Sequence, residues 1–184
     1  MFQVTPSDDS RHEWTGTVLY SFQGGGDGNG PESGLVAGTD GSLYGTTQLG
    51  GNGGTCPEGC GIVFQLQPPG AAGSPWTETI LHQFTGGADG FWPDMTPIMG
   101  EHETLFGTTQ NGGKGRGSVF ALSPPSAGGS WTMRTMHAFL NPSRGSQPIA
   151  GLVADPRGRF YGVTVFGGAQ TCPGGCGVIF SVRQ

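Results

Sequence analysis

Four cysteines stand in two close pairs, Cys56-Pro-Glu-Gly-Cys60 and Cys172-Pro-Gly-Gly-Cys176. An even count in close pairs, with Pro and Gly between, suits two local disulfides made in an oxidising compartment. The rival chemistry is a structural zinc held by all four thiolates, because three intervening residues fall within the usual spacing of paired zinc cysteines. Four carboxylates form a second set, Asp27 and Glu32 in one Gly-rich stretch and Asp89 and Asp94 in another. Two of them ~5–9 Å apart could act as the catalytic acid and nucleophile of a glycosidase. The plainer role of Asp in Gly-Asp-Gly is to form a turn by bonding its own backbone. The same oxygen-rich strings could hold Ca²⁺, but no full ligand set recurs at fixed offsets, so no residue is assigned to a metal. Phe91 and Trp92 stand beside Asp89 and Asp94, where a sugar ring could stack on the indole while the carboxylates take its hydroxyls. The structural alternative is that Trp92 covers a loop or plugs a channel mouth. Arg116 and Arg144, in loops of the later repeats, complete the candidate ligand-binding set.

These residues all fall in loops, and a repeated pattern must position the loops. Gly34-Leu-Val-Ala-Gly-Thr-Asp-Gly-Ser-Leu-Tyr-Gly-Thr-Thr47 is followed by a Gly-Gly loop and Gly61-Ile-Val-Phe-Gln-Leu66. The pattern returns at Thr96–Thr109 with Gly117–Leu122, and at Gly151–Thr164 with Gly177–Val182. Trp14, Trp76 and Trp131, each followed by Thr, are 62 and then 55 residues apart, a period close to that of propeller blades. Each repeat reads as four short strands separated by Gly turns, with period-two alternation clearest from Trp76 to Phe84. The expected fold is an all-β propeller of four-stranded blades. The expected layout is a 1–13 tail and sequence repeats at 14–75, 76–130 and 131–184. Tyr44, Phe106 and Tyr161, with Phe64, Phe120 and Phe180, are expected to form the core between blades. Tyr20, His82 and His137 occupy one recurring position, expected to be amphipathic packing remote from the loop face.

On this reading the chain begins with a fourth strand, Trp14–Phe22, and ends with a third, Val178–Val182. Three blades are few for a closed ring. The expectation is a homodimer in which each chain donates its N-terminal strand to the other's last blade, giving six blades with two-fold symmetry. A segment of a longer array and a closed three-bladed monomer are the alternatives. The loops joining fourth to first strands, and second to third, then share one face, which is where binding residues usually sit on such scaffolds.

Composition removes other classes. Charged residues make up 11% of the chain, the formal net charge is −5, and Lys114 is the single lysine, so no basic patch follows a phosphate backbone and no nucleic-acid partner is expected. No apolar run approaches the ~20 residues of a membrane span. Met1 to Glu13 lacks a hydrophobic signal region, so an export signal is expected to be absent from this chain or removed. The 38 glycines and 14 prolines leave little room for helix interiors. There is neither a nucleophile elbow nor a phosphate-binding strand–loop–helix.

The string Gly-Leu-Val-x-x-x-x-Gly-x-Leu-Tyr-Gly-Thr-Thr, then Gly-Gly, then Gly-x-Val-Phe-x-Leu, resembles the GloVer tandem repeat of bacterial choice-of-anchor surface proteins. The resemblance covers the chain from Trp14 onward. It implies a propeller-like fold and an extracellular or periplasmic location, and it carries no catalytic residues. The expected function is an extracytoplasmic module that binds a glycan through the long-loop face. A carboxylate-dependent glycoside hydrolase and a purely structural assembly unit are the alternatives.

Overall fold

The structure is a computed structural model describing residues 1–6, 13–71, 73–113, 115–126 and 128–183. Lys114 and most of the segment joining Pro6 to Trp14 lie outside the described residues.

The chain is all-β. It opens with β1 (Phe2–Pro6) and β2 (Trp14–Val18), an antiparallel pair. The first four-stranded antiparallel sheet comes next, β3 (Val36–Ala37), β4 (Leu43–Thr47), β5 (Ile62–Gln67) and β6 (Thr77–Gln83), in that spatial order. The second repeats it with β7 (Ile98–Met99), β8 (Leu105–Thr109), β9 (Ser118–Ser123) and β10 (Thr132–Ala138). In the third, β11 (Ser146–Pro148) and β12 (Val153–Ala154) both lie along β13 (Arg159–Phe166), whose other edge carries β14 (Val178–Arg183).

The repeated Gly-Thr-Thr motif has a steric cause. A β-carbon at Gly45 would stand 2.7 Å from the Phe64 ring, and at Gly107 and Gly162 it would stand 2.5 Å from the rings of Phe120 and Phe180. Glycine in the second strand thus makes room for the phenylalanine of the third. The hydroxyl that ends the motif turns the strand into its loop: Thr47 donates to the Leu49 carbonyl at 2.7 Å, and Thr109 to Asn111 at 3.1 Å. In the third repeat Thr164 donates to Phe166 at 2.9 Å.

The sheets stack face to face, and the first and second are apolar on both sides. Between the first and second lie Tyr44, Val63, Phe84, Leu105, Phe120 and Leu122, and between the second and third lie Phe106, Val119, Phe139, Leu152 and Phe160, all buried. Leu19, Tyr20 and Phe22 cover the opposite face of the first sheet over Ile62, Phe64 and Leu66. One aromatic contact recurs at each junction. Phe22 meets Phe64, Phe84 meets Phe120, and Phe139 meets Phe180, with centroids 5.1, 5.4 and 5.0 Å apart in edge-on arrangements. Of the residues expected in the core, Tyr44, Phe64, Phe106 and Phe120 are buried and Phe180 packs against the second junction, whereas Tyr161 stays half-buried at the surface, its hydroxyl donating to Asp155 at 3.1 Å.

Two expectations change. Residues 2–6 form a strand rather than a tail. The regular part of the first fourth strand stops at Val18, and its inner edge is already paired with β1, so it is not spare within the chain.

Candidate functional site

The long loops meet along one rim because backbone ladders tie them together. Asn29 bridges Leu49 and Phe91 bridges Asn111, each linking a fourth-to-first connection to a second-to-third loop, and β11 does the same against β13. Trp92 N–H donates to the Cys60 carbonyl at 3.0 Å, and Gln147 N–H donates to the Arg116 carbonyl at 2.8 Å. Arg116 therefore stands in the second repeat where Cys60 stands in the first.

One groove on this rim, of about 360 Å³, lies between the Cys56–Cys60 loop and the Phe91–Trp92 pair and is lined also by Leu49 and Glu58. The disulfide holds one wall, with Cα atoms 5.2 Å apart. The other wall is the Trp92 ring, edge-on to Phe91 at 5.1 Å. Trp92 has φ +60°, a left-handed backbone that costs a bulky residue about 1–2 kcal/mol. The equivalent residues Gly30 and Gln147 have φ +67° and +54°, so the fold demands this conformation at every repeat and only the first meets it with glycine.

The carboxylates divide by role. Asp27 accepts the Tyr20 hydroxyl and the Gln23 N–H. Asp89 accepts Thr85 N–H at 2.9 Å and its hydroxyl at 2.6 Å, and pairs with His82 Nε2 at 3.2 Å. Both are turn-forming clasps that fold a loop back onto the strand before it. Burial pushes the Asp89 carboxyl up, but the bonds from His82 and Thr85 outweigh it and hold it below the ordinary carboxylate value. His82 is therefore part of the loop face, contrary to the expectation of remote packing. In the third repeat Arg144 takes the aspartate's place, and His137 keeps its edge-on contact with Phe139 at 4.8 Å.

Asp94 differs from these. It is 7% exposed, and its Oδ1 has no hydrogen-bond partner among the described residues. Burial raises its pKa, and the charge of Glu32, the equivalent residue one repeat earlier, raises it further. Glu32 itself is exposed. The structure thus brings Glu32 and Asp94 into electrostatic range, and Phe91 and Trp92 into one groove, while Asp27 and Asp89 are tied within their own loops. Arg116 and Arg144 are exposed and line two other clefts on the rim, of about 360 and 280 Å³. Sequence reasoning missed Glu78, whose carboxyl is pushed up to about 7, first by burial and then by the charge of Asp27.

Both cysteine pairs are disulfides, the second with Cα atoms 5.1 Å apart, so none of the four sulfurs is left as a thiolate for zinc. The bonds are consistent with an extracytoplasmic compartment. Among the described residues no group of three or more His, Cys, Asp or Glu is placed to hold a metal, and no helix is long and apolar enough to cross a membrane. No curated protein matches the chain. The profile of the Gloeobacter/Verrucomicrobia repeat matches residues 1–184, spanning all three sheets and the β1–β2 pair. The chain belongs to the Gloeobacter/Verrucomicrobia repeat family.

Proposed function

We propose that the chain is an extracytoplasmic, propeller-type binding module that recognises a glycan in the groove between Trp92 and the Cys56–Cys60 loop. The observation that carries this reading is a tryptophan kept on a left-handed backbone where glycine would be relaxed, facing a loop pinned by a disulfide. Backbone strain of this kind is commonly retained where a side chain serves a ligand. An indole face with backbone amides and Glu58 nearby suits the apolar face and hydroxyls of a sugar ring. Trp92→Gly removes the ring and the strain together. Retention of sugars on a glycan array should be lost in this variant, while its melting temperature stays level or rises. A fall of several degrees would make Trp92 a structural plug, and a wild-type chain that retains no sugar would end the glycan reading.

A hydrolase on the same face is the second reading, and one observation favours it. Asp94 is a buried carboxyl raised in the manner of a general acid, with an exposed Glu32 in electrostatic range. Against it, Trp92 lines the groove and Asp94, two residues on, does not. Release of new reducing ends by the wild-type chain, abolished in Asp94→Asn, would establish this reading over simple binding.

A further inference from the structure

The repeat leaves one edge open, among the described residues, whose counterparts are covered. β5 and β9 each carry a fourth strand, β6 and β10, whereas β14 carries none among the described residues. β2 has the fourth-strand sequence. Trp14-Thr-Gly-Thr-Val-Leu-Tyr-Ser-Phe22 matches Trp76-Thr-Glu-Thr-Ile-Leu-His-Gln-Phe84, and Phe22 already makes the junction contact of that series.

What pairs with β2 is a third strand in disguise. Met1-Phe-Gln-Val-Thr-Pro6 reproduces Val63-Phe-Gln-Leu-Gln-Pro68. The register agrees as well, since Phe2 faces Val18 as Phe64 faces Ile80 and Phe120 faces Thr135. β14 carries the same pattern, Ile179-Phe-Ser-Val182. Two third strands in one chain therefore fit the same fourth strand.

The exposed apolar side chains mark where the mismatch lies. Of ten large hydrophobic residues exposed among the described ones, seven are on β1, β2 or the outer face of the third sheet: Phe2, Val4, Trp14, Val18, Val153, Val163 and Ile179. Ile179 is 81% exposed, while its counterparts Val63 and Val119 are fully buried. Val163 and Ile179 face each other across β13 and β14, so they form one patch beside the open edge.

We propose that β1 is a placeholder, and that the partner of this chain is a second copy whose β14 displaces β1 from β2. The exchange completes the third sheet of the second copy with a fourth strand. Trp14 would then stand against Phe106 of the second copy, as Trp131 stands against Tyr44 within one chain at 6.1 Å. Val163 and Ile179 of the second copy would meet the Leu19, Tyr20 and Phe22 side of the first sheet, the junction the repeat uses elsewhere. The exchange is reciprocal, so it closes with two-fold symmetry, and it replaces one native-like strand pair by another at little net cost in backbone bonds. The β1–β2 pair is exposed along its whole length, which makes it the least protected ladder in the molecule. This pairing is independent of the ligand reading.

The exchange sets Ser181 opposite Thr17, because Gln3 holds that place now. The test uses the full-length chain. Light scattering should show a dimer fraction that rises with concentration. Oxidised Thr17→Cys with Ser181→Cys should give a covalent dimer on a non-reducing gel, and oxidised Gln3→Cys with Thr17→Cys should lock β1 in place and hold the chain monomeric. Ile179→Lys changes an exposed residue, leaves the single chain folded and should weaken the dimer about tenfold or more. A wild-type chain that stays monomeric at every concentration overturns the proposal. So does a locked variant that still dimerises, or a Thr17–Ser181 crosslink that forms within one chain.

Discussion

The Cys56–Cys60 and Cys172–Cys176 loops are near copies in sequence and in span, yet they live in different surroundings. Cys60 is fully buried. Its sulfur lies under the next connection, where a β-carbon at Gly86 would stand 3.1 Å away, and Thr55 N–H holds the Thr85 carbonyl at 3.0 Å. Cys172 and Cys176 are both exposed, and the nearest polar partner is the Thr171 hydroxyl at 3.3 Å from Cys176 Sγ. The difference lies in the elements that come after each loop in the chain. The first is roofed by β6 and its onward connection, and the third has no such roof among the described residues. Burial in this architecture comes from the neighbouring element, and the loop's own sequence does not set it.

The roof itself is where the contrast breaks most forcefully. Phe84 anchors the connection that covers the first loop and is fully buried against Phe120. Phe84→Ala should cost about 3–5 kcal/mol in chemical denaturation. Ile179→Ala, on the unroofed side, should stay within about 0.5 kcal/mol for the monomer.

Next in size is the contrast between the bonds. Each closes a very short loop, so the chain-entropy gain sits at the low end of ~0–5 kcal/mol. Replacing Cys56 and Cys60 by serine also buries a hydroxyl with no assured partner, for a total of about 2–4 kcal/mol. The same change at Cys172 and Cys176 should cost about 1 kcal/mol or less. Equal losses in the two variants would show that the roof contributes nothing to the first loop.

The smallest effects come from the charged groups beside the clasps, and they have opposite signs. The Glu78 carboxyl is raised from 4.5 to about 7, so the folded chain binds its proton more tightly than the unfolded chain does. Its contribution is fully present below pH 4.5 and is lost as pH rises to about 7. Asp89 is held below its ordinary value, so its contribution is present above that value and is lost on acidification. Glu78→Gln should flatten the fall in melting temperature on the neutral side, and Asp89→Asn should flatten it on the acid side. A pH–melting profile unchanged by both would remove the clasps from the stability account.

Most of the sheet architecture is readable from the chain, because one steric rule writes itself into every repeat. Gly45, Gly107 and Gly162 must yield to a phenylalanine ring, and the recurring glycine of the Leu-Tyr-Gly-Thr-Thr string is the trace of it. Both cysteine pairs are readable for the same reason of local geometry. The clasps were hidden because His82 and Asp89 meet only after a turn doubles back, and side-chain direction there depends on φ values that residue type does not declare. β1 was hidden by its isolation from the rest of its repeat. The signal was present nonetheless, since Pro6 precedes Trp14 by the same interval that separates Pro68 from Trp76. Trp92 stood out as an odd residue, but its shared backbone conformation with Gly30 and Gln147 appears only in three dimensions.

That shared conformation makes residues 30, 92 and 147 interchangeable sockets. Each repeat imposes the same positive φ, and the natural chain already fills the three sockets with Gly, Trp and Gln. Side chains can therefore be traded among them without re-engineering the backbone. A chain carrying tryptophan in all three would display three aromatic platforms on one rigid rim. A polymer long enough to span them would then be held by avidity, with each weak contact raising the effective concentration of the next.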